Sequence, residues 1–274
     1  MAITLYDMHT HTEYSHDSTQ SLDGLCAAEL AAGVAGVAVT DHSDGLYSHE
    51  NGDFERLIRS NRCCREAAAR WAGRLEILSG VEIGEELWSP ENAAVVRSLA
   101  DWDVVLASNH CLRMENGEYL GLGPQDYTVW PQEKLEYFMQ RYLEHLILTA
   151  ERLDYDILTH IDIPLRYITG RDGRILQPER RSDLVDELLR TVICRGKTLE
   201  VNTSGLAGSW RTMPETDTLR RYYELGGRRI SIGSDAHTAA NAAAGLRQTA
   251  ELLRSIGFTG QTVYRRRQPT EIPF

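Results

Sequence analysis

Short β-like apolar runs alternate with longer amphipathic segments along the whole chain. We predict seven strands, at residues 3–9, 36–40, 76–82, 103–108, 156–160, 198–202 and 229–234. We predict helices at about 22–33, 55–72, 91–99, 131–153, 180–195, 215–226 and 238–256. Strands that alternate with helices of this length favour parallel strands joined by crossover helices.

Seven successive strand–helix units, with no linker and no internal repeat, predict one α/β domain over residues 1–274. We favour a closed or nearly closed (β/α) barrel, although an open doubly wound sheet has the same local pattern. Loops that follow the strands surround the functional face of such folds. The longest irregular stretches are therefore candidate walls or lids of a site, at 40–54, 111–130, 161–178 and 203–214.

Charge and composition exclude several classes of partner. The formal charge is -11, from 29 basic and 40 acidic residues, which argues against binding a nucleic-acid backbone. The chain begins without a signal-peptide pattern, and no apolar stretch has membrane-spanning length. We therefore expect a cytoplasmic protein with no membrane partner. The five cysteines form no CxxC motif, and we expect reduced thiols.

Histidines and acids cluster at the ends of the predicted strands or directly after them. Alternation along the first strand places two of these histidines on one face, as two ligands of one ion require. Imidazole nitrogens mixed with carboxylate oxygens suit zinc, manganese or iron, and the candidates exceed the roughly four ligands of a single ion. We predict a cluster of two or three divalent ions. The candidate ligands are His9, His11, His16, His42, Glu82, His110, His160, Asp235 and His237.

The remaining histidines are assigned structural roles, His145 on a helix and His49 in a loop, with His49 the closer of the two to a substrate. Three other features have ordinary explanations. We expect Cys111 to be a packed thiol, and we expect solvent-facing positions for Glu85, Glu86 and the run Arg265-Arg266-Arg267.

The motifs occur in a fixed order along the chain. They are Asp7-Met8-His9-Thr10-His11-Thr12, Ser15-His16-Asp17-Ser18, Thr40-Asp41-His42, Gly80-Val81-Glu82, Ser108-Asn109-His110, Thr159-His160-Ile161-Asp162, Glu200-Val201-Asn202-Thr203-Ser204-Gly205 and Ser234-Asp235-Ala236-His237. This series resembles the PHP (polymerase and histidinol phosphatase) superfamily, and within it the histidinol-phosphate phosphatases. The resemblance covers essentially the whole chain.

The resemblance implies a distorted (β/α)7 barrel with three divalent metal ions, zinc, manganese or iron. One ion would take His9, His11, Glu82 and Asp235; a second would share Glu82 and take His110 and His160; the third would take His16, His42 and His237. Glu82 is the expected bridge.

The resemblance also implies a phosphoester hydrolase. Our mechanistic hypothesis is that a hydroxide bridging the ions near Glu82 attacks phosphorus. Arg166 or Arg211 would hold the phosphoryl oxygens, and Asp235, His42 or Asp17 would help to protonate the leaving group. L-Histidinol phosphate is the expected substrate. The segment 207–211 departs from the pattern of the histidinol-phosphate enzymes, so another small phosphorylated metabolite is an alternative, including a phosphodiester or a cyclic phosphate.

Two alternatives come from other classes of protein. Amidohydrolases also carry His-x-His on a first barrel strand, but Glu82 at the bridging position and the late Asp-x-His motif favour phosphoester chemistry. A non-catalytic PHP module is the other alternative, and the complete ligand set argues against it. The sequence makes no prediction of oligomeric state.

Overall fold

The computed structural model describes residues 3–44, 53–207 and 210–274, so His49 lies outside the described residues. The strands are β1 (Tyr6–Thr10), β2 (Gly36–Val39), β3 (His42–Asp44), β4 (Glu76–Gly84), β5 (Val104–Ser108), β6 (Cys111–Arg113), β7 (Tyr119–Gly121), β8 (Ile157–Leu158), β9 (Thr198–Asn202), β10 (Ile230–Gly233), β11 (Gly260–Arg265) and β12 (Gln268–Pro273). The α-helices are α1 (Leu22–Ala31), α2 (Asp53–Arg70), α3 (Pro90–Ser98), α4 (Gln132–Arg152), α5 (Ser182–Cys194), α6 (Ser204–Ala207), α7 (Thr216–Glu224) and α8 (Leu246–Ile256).

Seven parallel strands form the barrel, in the order β1-β2-β4-β5-β8-β9-β10. The short strand β3 continues beyond β2 and pairs with β4. The ends of β10 and β1 close the ring, because Asp235 N donates to His9 O at 2.8 Å and His11 N donates to Ala236 O at 3.0 Å. The predicted (β/α) barrel is confirmed, and the open-sheet alternative is wrong.

The predicted elements agree with the structure to within a few residues, with two main exceptions. The last crossover helix begins at Leu246 rather than near residue 238, because Gly245, at φ 76°, lies in the left-handed region just before it. The C-terminal hairpin of β11 and β12 was not predicted as a unit. Among the described residues, no helix is both long and apolar enough to span a membrane.

A β-bulge in β1 aims the His-x-His motif into the barrel. Asp7 pairs with Val37 and Thr10 pairs with Val39, so β1 carries one more residue than β2 between these pairs. Met8 packs in the apolar cluster inside the barrel. Without the extra residue, strict alternation would turn His9 to the opposite face. The bulge therefore allows Met8 and the adjoining His9 both to face the interior of the barrel.

Gly233 marks a close approach between β10 and β1. A Cβ atom at this position would lie 2.5 Å from His9 Cβ and 2.6 Å from Glu200 Oε1. Both neighbours are buried and held by their own strands, so neither can move aside cheaply. Only glycine fits where the barrel closes beside the histidines.

The C-terminal hairpin covers the end of the barrel where the strands begin. Val263 and Tyr264 belong to the interior apolar cluster. Arg265 Nη2 donates to Glu76 Oε2 at 2.6 Å, and Arg267 Nε donates to Asp156 at 2.8 Å. The expectation of a solvated charge run is therefore wrong for Arg265 and Arg267. The expectation failed because barrel closure brings carboxylates at the starts of distant strands to these two arginines.

We predict that Arg267→Ala lowers the free energy of unfolding, because it leaves the buried Asp156 carboxylate without its cationic partner. The expected loss is about 1–3 kcal/mol. Urea denaturation followed by circular dichroism measures it. The matched control is Arg266→Ala, since this neighbouring side chain is exposed at the turn. Equal effects of the two substitutions would contradict a specific role for Arg267.

Candidate metal centre

The nine predicted ligands lie at the end of the barrel where the strands finish, and eight of them, all except His16, converge there. A cavity of about 470 Å³ opens there, and its walls include His16, His42, His110, His160, Asp235 and His237. His9, His11 and Glu82 are buried at its base. The structure thus brings together side chains that are up to 228 residues apart in the sequence, from His9 to His237.

The carboxylate of Glu82 occupies the middle of the histidine cluster. Ring nitrogens within 3.5 Å of its oxygens belong to His9 (3.3 Å), His11 (3.5 Å), His42 (3.0 Å), His110 (3.3 Å) and His160 (3.0 Å). Burial alone would raise the pKa of Glu82, but His9, His110 and His42 hold that pKa well below its ordinary value. Glu82 is therefore an anion that requires surrounding positive charge.

Asp235 faces the same space from β10. Its Oδ1 lies 3.2 Å from His11 Nε2 and 3.7 Å from His9 Nε2. Its backbone has φ 53°, and that of His160 has φ 20°, both in a region that non-glycine residues rarely adopt. Strain of this kind persists where the surrounding structure holds a side chain in one orientation.

The donor atoms fit divalent metal ions. His9 Nε2 and His11 Nε2 are 3.0 Å apart, and two imidazole lone pairs repel at this distance unless a cation or a proton lies between them. Glu82 Oε2 lies close to three histidines without making an aligned hydrogen bond among the described residues. Among the described residues, five groups have ligand atoms within 4.8 Å of one another: His9–His11–Asp235, His9–Glu82–His160, His42–Glu82–His110, His11–His42–His237 and Asp44–Glu85–His110.

His16 lies at the rim of the cavity. Its side chain is 55% exposed, with Nδ1 3.7 Å from Asp44 Oδ2. It is not part of the groups of converging ligand atoms found among the described residues. Asp17 lies closer to this part of the centre, because its Oδ2 is 3.1 Å from His237 Nε2 and 3.6 Å from His42 Nε2.

The two predicted substrate arginines occupy different environments. Arg166 lines the cavity, and its Nη1 donates to Ser204 Oγ at 3.2 Å. Arg211 instead forms ion pairs with Asp162 at 3.3 Å and Glu215 at 2.8 Å. It is not among the described residues that line the cavity. The geometry therefore brings Arg166, rather than Arg211, to the histidine cluster.

Two carboxylates that orient the histidines were missed in the sequence. Glu200 Oε1 lies 2.6 Å from His9 Nδ1, and Asp44 Oδ1 lies 3.1 Å from His110 Nδ1. A carboxylate on one ring nitrogen fixes the tautomer and leaves the other nitrogen free for a metal. The signal for Glu200 was its position, an acid between the apolar residues Leu199 and Val201 within β9.

His11 is oriented by a hydroxyl group instead. Ser15 Oγ lies 3.1 Å from His11 Nδ1 and donates to Asp41 Oδ1 at 2.9 Å. Burial, with the nearby positive charge of His42, lowers the pKa of His11 to about 3. The neutral imidazole is the form that binds metal.

The expectation that Glu85 and Glu86 face solvent is wrong. Glu85 is buried, and its Oε1 accepts hydrogen bonds from His110 N at 2.6 Å and Cys111 N at 3.1 Å. Burial and the charge of Asp44 raise the pKa of Glu85 to about 7. Glu86 is also buried and is paired with an arginine of α3. The local sequence of Glu85 and Glu86 is that of a polar loop after β4. Packing against the turn after β5 and against α3 buries the two side chains.

The structural assignments of Cys111 and His145 are confirmed. Cys111 is buried, and burial raises the pKa of its thiol. His145 lies on α4 outside the centre, with its ring 5.0 Å from that of Trp88. Burial and the charge of Arg141 lower its pKa to about 4. Neither residue contributes to the converging ligand groups among the described residues.

We predict that His110→Ala lowers the number of divalent ions bound per chain, because it removes a nitrogen close to Glu82. Elemental analysis after equilibration with zinc and dialysis measures the stoichiometry. His145→Ala is the matched control, and we expect it to bind as many ions as the unaltered chain. An unchanged stoichiometry in His110→Ala would contradict the assignment of His110 as a ligand.

Comparison with known proteins agrees with this architecture. The family model of the PHP domain matches residues 7–204. A probable histidinol-phosphatase of Thermotoga maritima is 26% identical over 254 residues, covering 93% of each chain. The histidinol-phosphatase of Lactococcus lactis is 26% identical over 255 residues, covering 92% of this chain and 91% of its own.

A solved structure shares the fold over almost the whole chain. It is the crystal structure of histidinol phosphate phosphatase from Lactococcus lactis, in complex with zinc, L-histidinol and phosphate. It is 19% identical, with a TM-score of 0.79, and the match covers 98% of this chain and all of that one. The resemblance drawn from the motifs is thus confirmed, and the chain belongs to the PHP domain family.

Proposed function

We propose that this protein is a metal-dependent phosphoester hydrolase and that its substrate is L-histidinol phosphate. The observation that carries the proposal is the anionic Glu82 ringed by five histidines at the base of an open cavity, with Arg166 on the cavity wall. The names of the relatives and the ligands of the Lactococcus lactis structure support the choice of substrate.

The metal assignment follows the ligand sets that the family resemblance implies, and the converging group His9–His11–Asp235 supports the first of them. We assign one ion to His9, His11, Glu82 and Asp235, a second to Glu82, His110 and His160, and a third to His16, His42 and His237. Asp17 lies beside the third group and can complete it. When bound, divalent ions supply nucleophilic hydroxide at neutral pH, by lowering the pKa of water towards about 7, and they offset phosphate charge.

Arg166 is the residue we assign to the phosphate group. Its guanidinium lines the cavity and presents several N–H donors, which match phosphate oxygens in a fork. Arg211 is occupied by Asp162 and Glu215, and we assign it to supporting the wall of the cavity.

Among the three predicted proton donors, Asp17 has the access that the role needs. Its side chain is 43% exposed, compared with 9% for Asp235 and 8% for His42. Burial raises the pKa of Asp17, but hydrogen bonds from His237 and His42 outweigh this and hold the pKa well below its ordinary value. Asp17 therefore stays a carboxylate, and we assign it to orienting the water molecule that protonates the leaving oxygen.

The lysine content argues against the amidohydrolase alternative. The chain contains only two lysines, Lys134 and Lys197. Lys134 lies over the ring of Trp130, and Lys197 is 3.8 Å from Asp154. Neither can supply a carboxylated lysine between two ions, and Glu82 occupies that position.

We expect the zinc-, manganese- or iron-loaded protein to hydrolyse L-histidinol phosphate with a kcat/KM of at least about 10⁴ M⁻¹s⁻¹. The assay measures phosphate release beside a panel of sugar phosphates, nucleotides and cyclic phosphates. Efficient turnover of another ester would support phosphoester hydrolysis but contradict L-histidinol phosphate as the substrate. An absence of phosphate release from every metal-loaded sample would overturn the hydrolase assignment.

We predict that Arg166→Ala lowers kcat/KM by about 10- to 100-fold, the loss of one or two charge-assisted hydrogen bonds to phosphate. Arg166→Lys keeps the charge but loses the fork, so we expect a smaller loss. Steady-state kinetics with matched metal content measures both. Arg211→Ala is the control, and an equal loss of kcat/KM in that variant would contradict the distinction between the two arginines.

A further inference from the structure

One barrel strand, β9, ends without any of the nine predicted ligands. Polar side chains nevertheless follow one another at alternate positions on it and directly after it: Glu200, Asn202 and Ser204. Alternation along the strand places Glu200 and Asn202 on one side, and Ser204 follows as the first residue of α6. We propose that these three residues, the β9 ladder, position both the metal ligands and the phosphate-binding arginine. This proposal rests on the proposed function.

Glu200 supports two ligands at once. It is buried, its Oε1 lies 2.6 Å from His9 Nδ1, and its Oε2 accepts a hydrogen bond from His160 N at 2.7 Å. The first contact turns His9 Nε2 towards the centre, and the second holds the backbone of His160, which has φ 20°. A glutamine would offer one acceptor oxygen to two donors, so the carboxylate is required chemically.

Asn202 connects the two ends of the ladder. Its Nδ2 donates to Asp235 Oδ2 at 3.3 Å and to Glu200 Oε2 at 3.4 Å. Its Oδ1 accepts from Ser204 N at 3.0 Å and Ser204 Oγ at 2.6 Å. A carboxylate here would face two other carboxylates, whereas the amide donates on one side and accepts on the other.

Ser204 extends the hydrogen bonds of the ladder to Arg166 on the cavity wall. Its hydroxyl donates to Asn202 Oδ1 at 2.6 Å, a much shorter contact than the 3.4 Å to Asp235 Oδ2, so its oxygen can accept from Arg166 Nη1 at 3.2 Å. Both Ser204 and Arg166 line the cavity. The strand that supplies no metal ligand thus sets the position of the arginine relative to the ligands.

Substitutions at the two ends of the ladder should have different effects. This difference distinguishes a positioning role from general support of the fold. We expect Glu200→Gln to weaken zinc affinity by about 10- to 100-fold. It should also change the visible absorption of the cobalt-loaded protein. We expect Ser204→Ala to leave zinc affinity and the cobalt spectrum unchanged but to weaken binding of inorganic phosphate to the zinc-loaded protein by about 10-fold.

Conservative variants and a matched control complete the design. Ser204→Thr keeps the hydroxyl and should restore phosphate binding. Glu136→Gln alters another buried glutamate that accepts a backbone N–H, from Gln177 at 2.9 Å, but lies outside the cavity, and it should change neither property. If Glu200→Gln does not fold, as judged by circular dichroism, Asn202→Ala replaces it and should weaken the binding of both zinc and phosphate.

Zinc affinity in Glu200→Gln equal to that of the unaltered chain would overturn the proposal. Equal losses of zinc and phosphate binding in Glu200→Gln and Ser204→Ala would also overturn it, because they would indicate general damage. These measurements use zinc, cobalt and inorganic phosphate without a substrate. They therefore stand even if L-histidinol phosphate is not hydrolysed.

Discussion

The buried carboxylate of Glu82 is the interaction on which the rest of the centre depends. An anion removed from water at the middle of a barrel is costly unless positive charge surrounds it. Five imidazoles approach within 3.5 Å, and their lone pairs and the carboxylate oxygens face a common space. Protons on histidines can balance Glu82 and Asp235, and divalent cations bound to the same ring nitrogens can replace those protons, so the cluster is suited to hold such ions.

Local distortions of the barrel bring these groups together. The bulge in β1 turns His9 and His11 inward, and Gly233 lets β10 close against β1 beside them. His160 and Asp235 adopt positive φ, which costs on the order of 1–3 kcal/mol each. Packing far from the centre offsets such strain, including the hairpin that covers the opposite end of the barrel. Stability and the candidate chemistry thus occupy different ends, as in other barrels.

The residues that orient the ligands form a second layer around the centre. Glu200, Asp44 and Ser15 each lie near an Nδ1 atom, so that Nε2 of the same ring faces inward. Their types alone did not reveal them, because acids and serines near strand ends have many uses. Glu85 shows the same limit of local sequence, since it precedes a second glutamate and yet holds the backbone of His110.

The sequence by itself determined the order of strands and helices and the candidate ligands, because hydrophobic periodicity and strand-end histidines are local patterns. The choice between a closed barrel and an open sheet required the contacts between β10 and β1. Tertiary structure decided the rest. Barrel closure paired Arg267 with Asp156 and brought Glu200 into contact with His9 Nδ1. It also placed Arg166, but not Arg211, on the wall of the cavity. These contacts join residues far apart in the chain, and no local pattern specifies the distance between them.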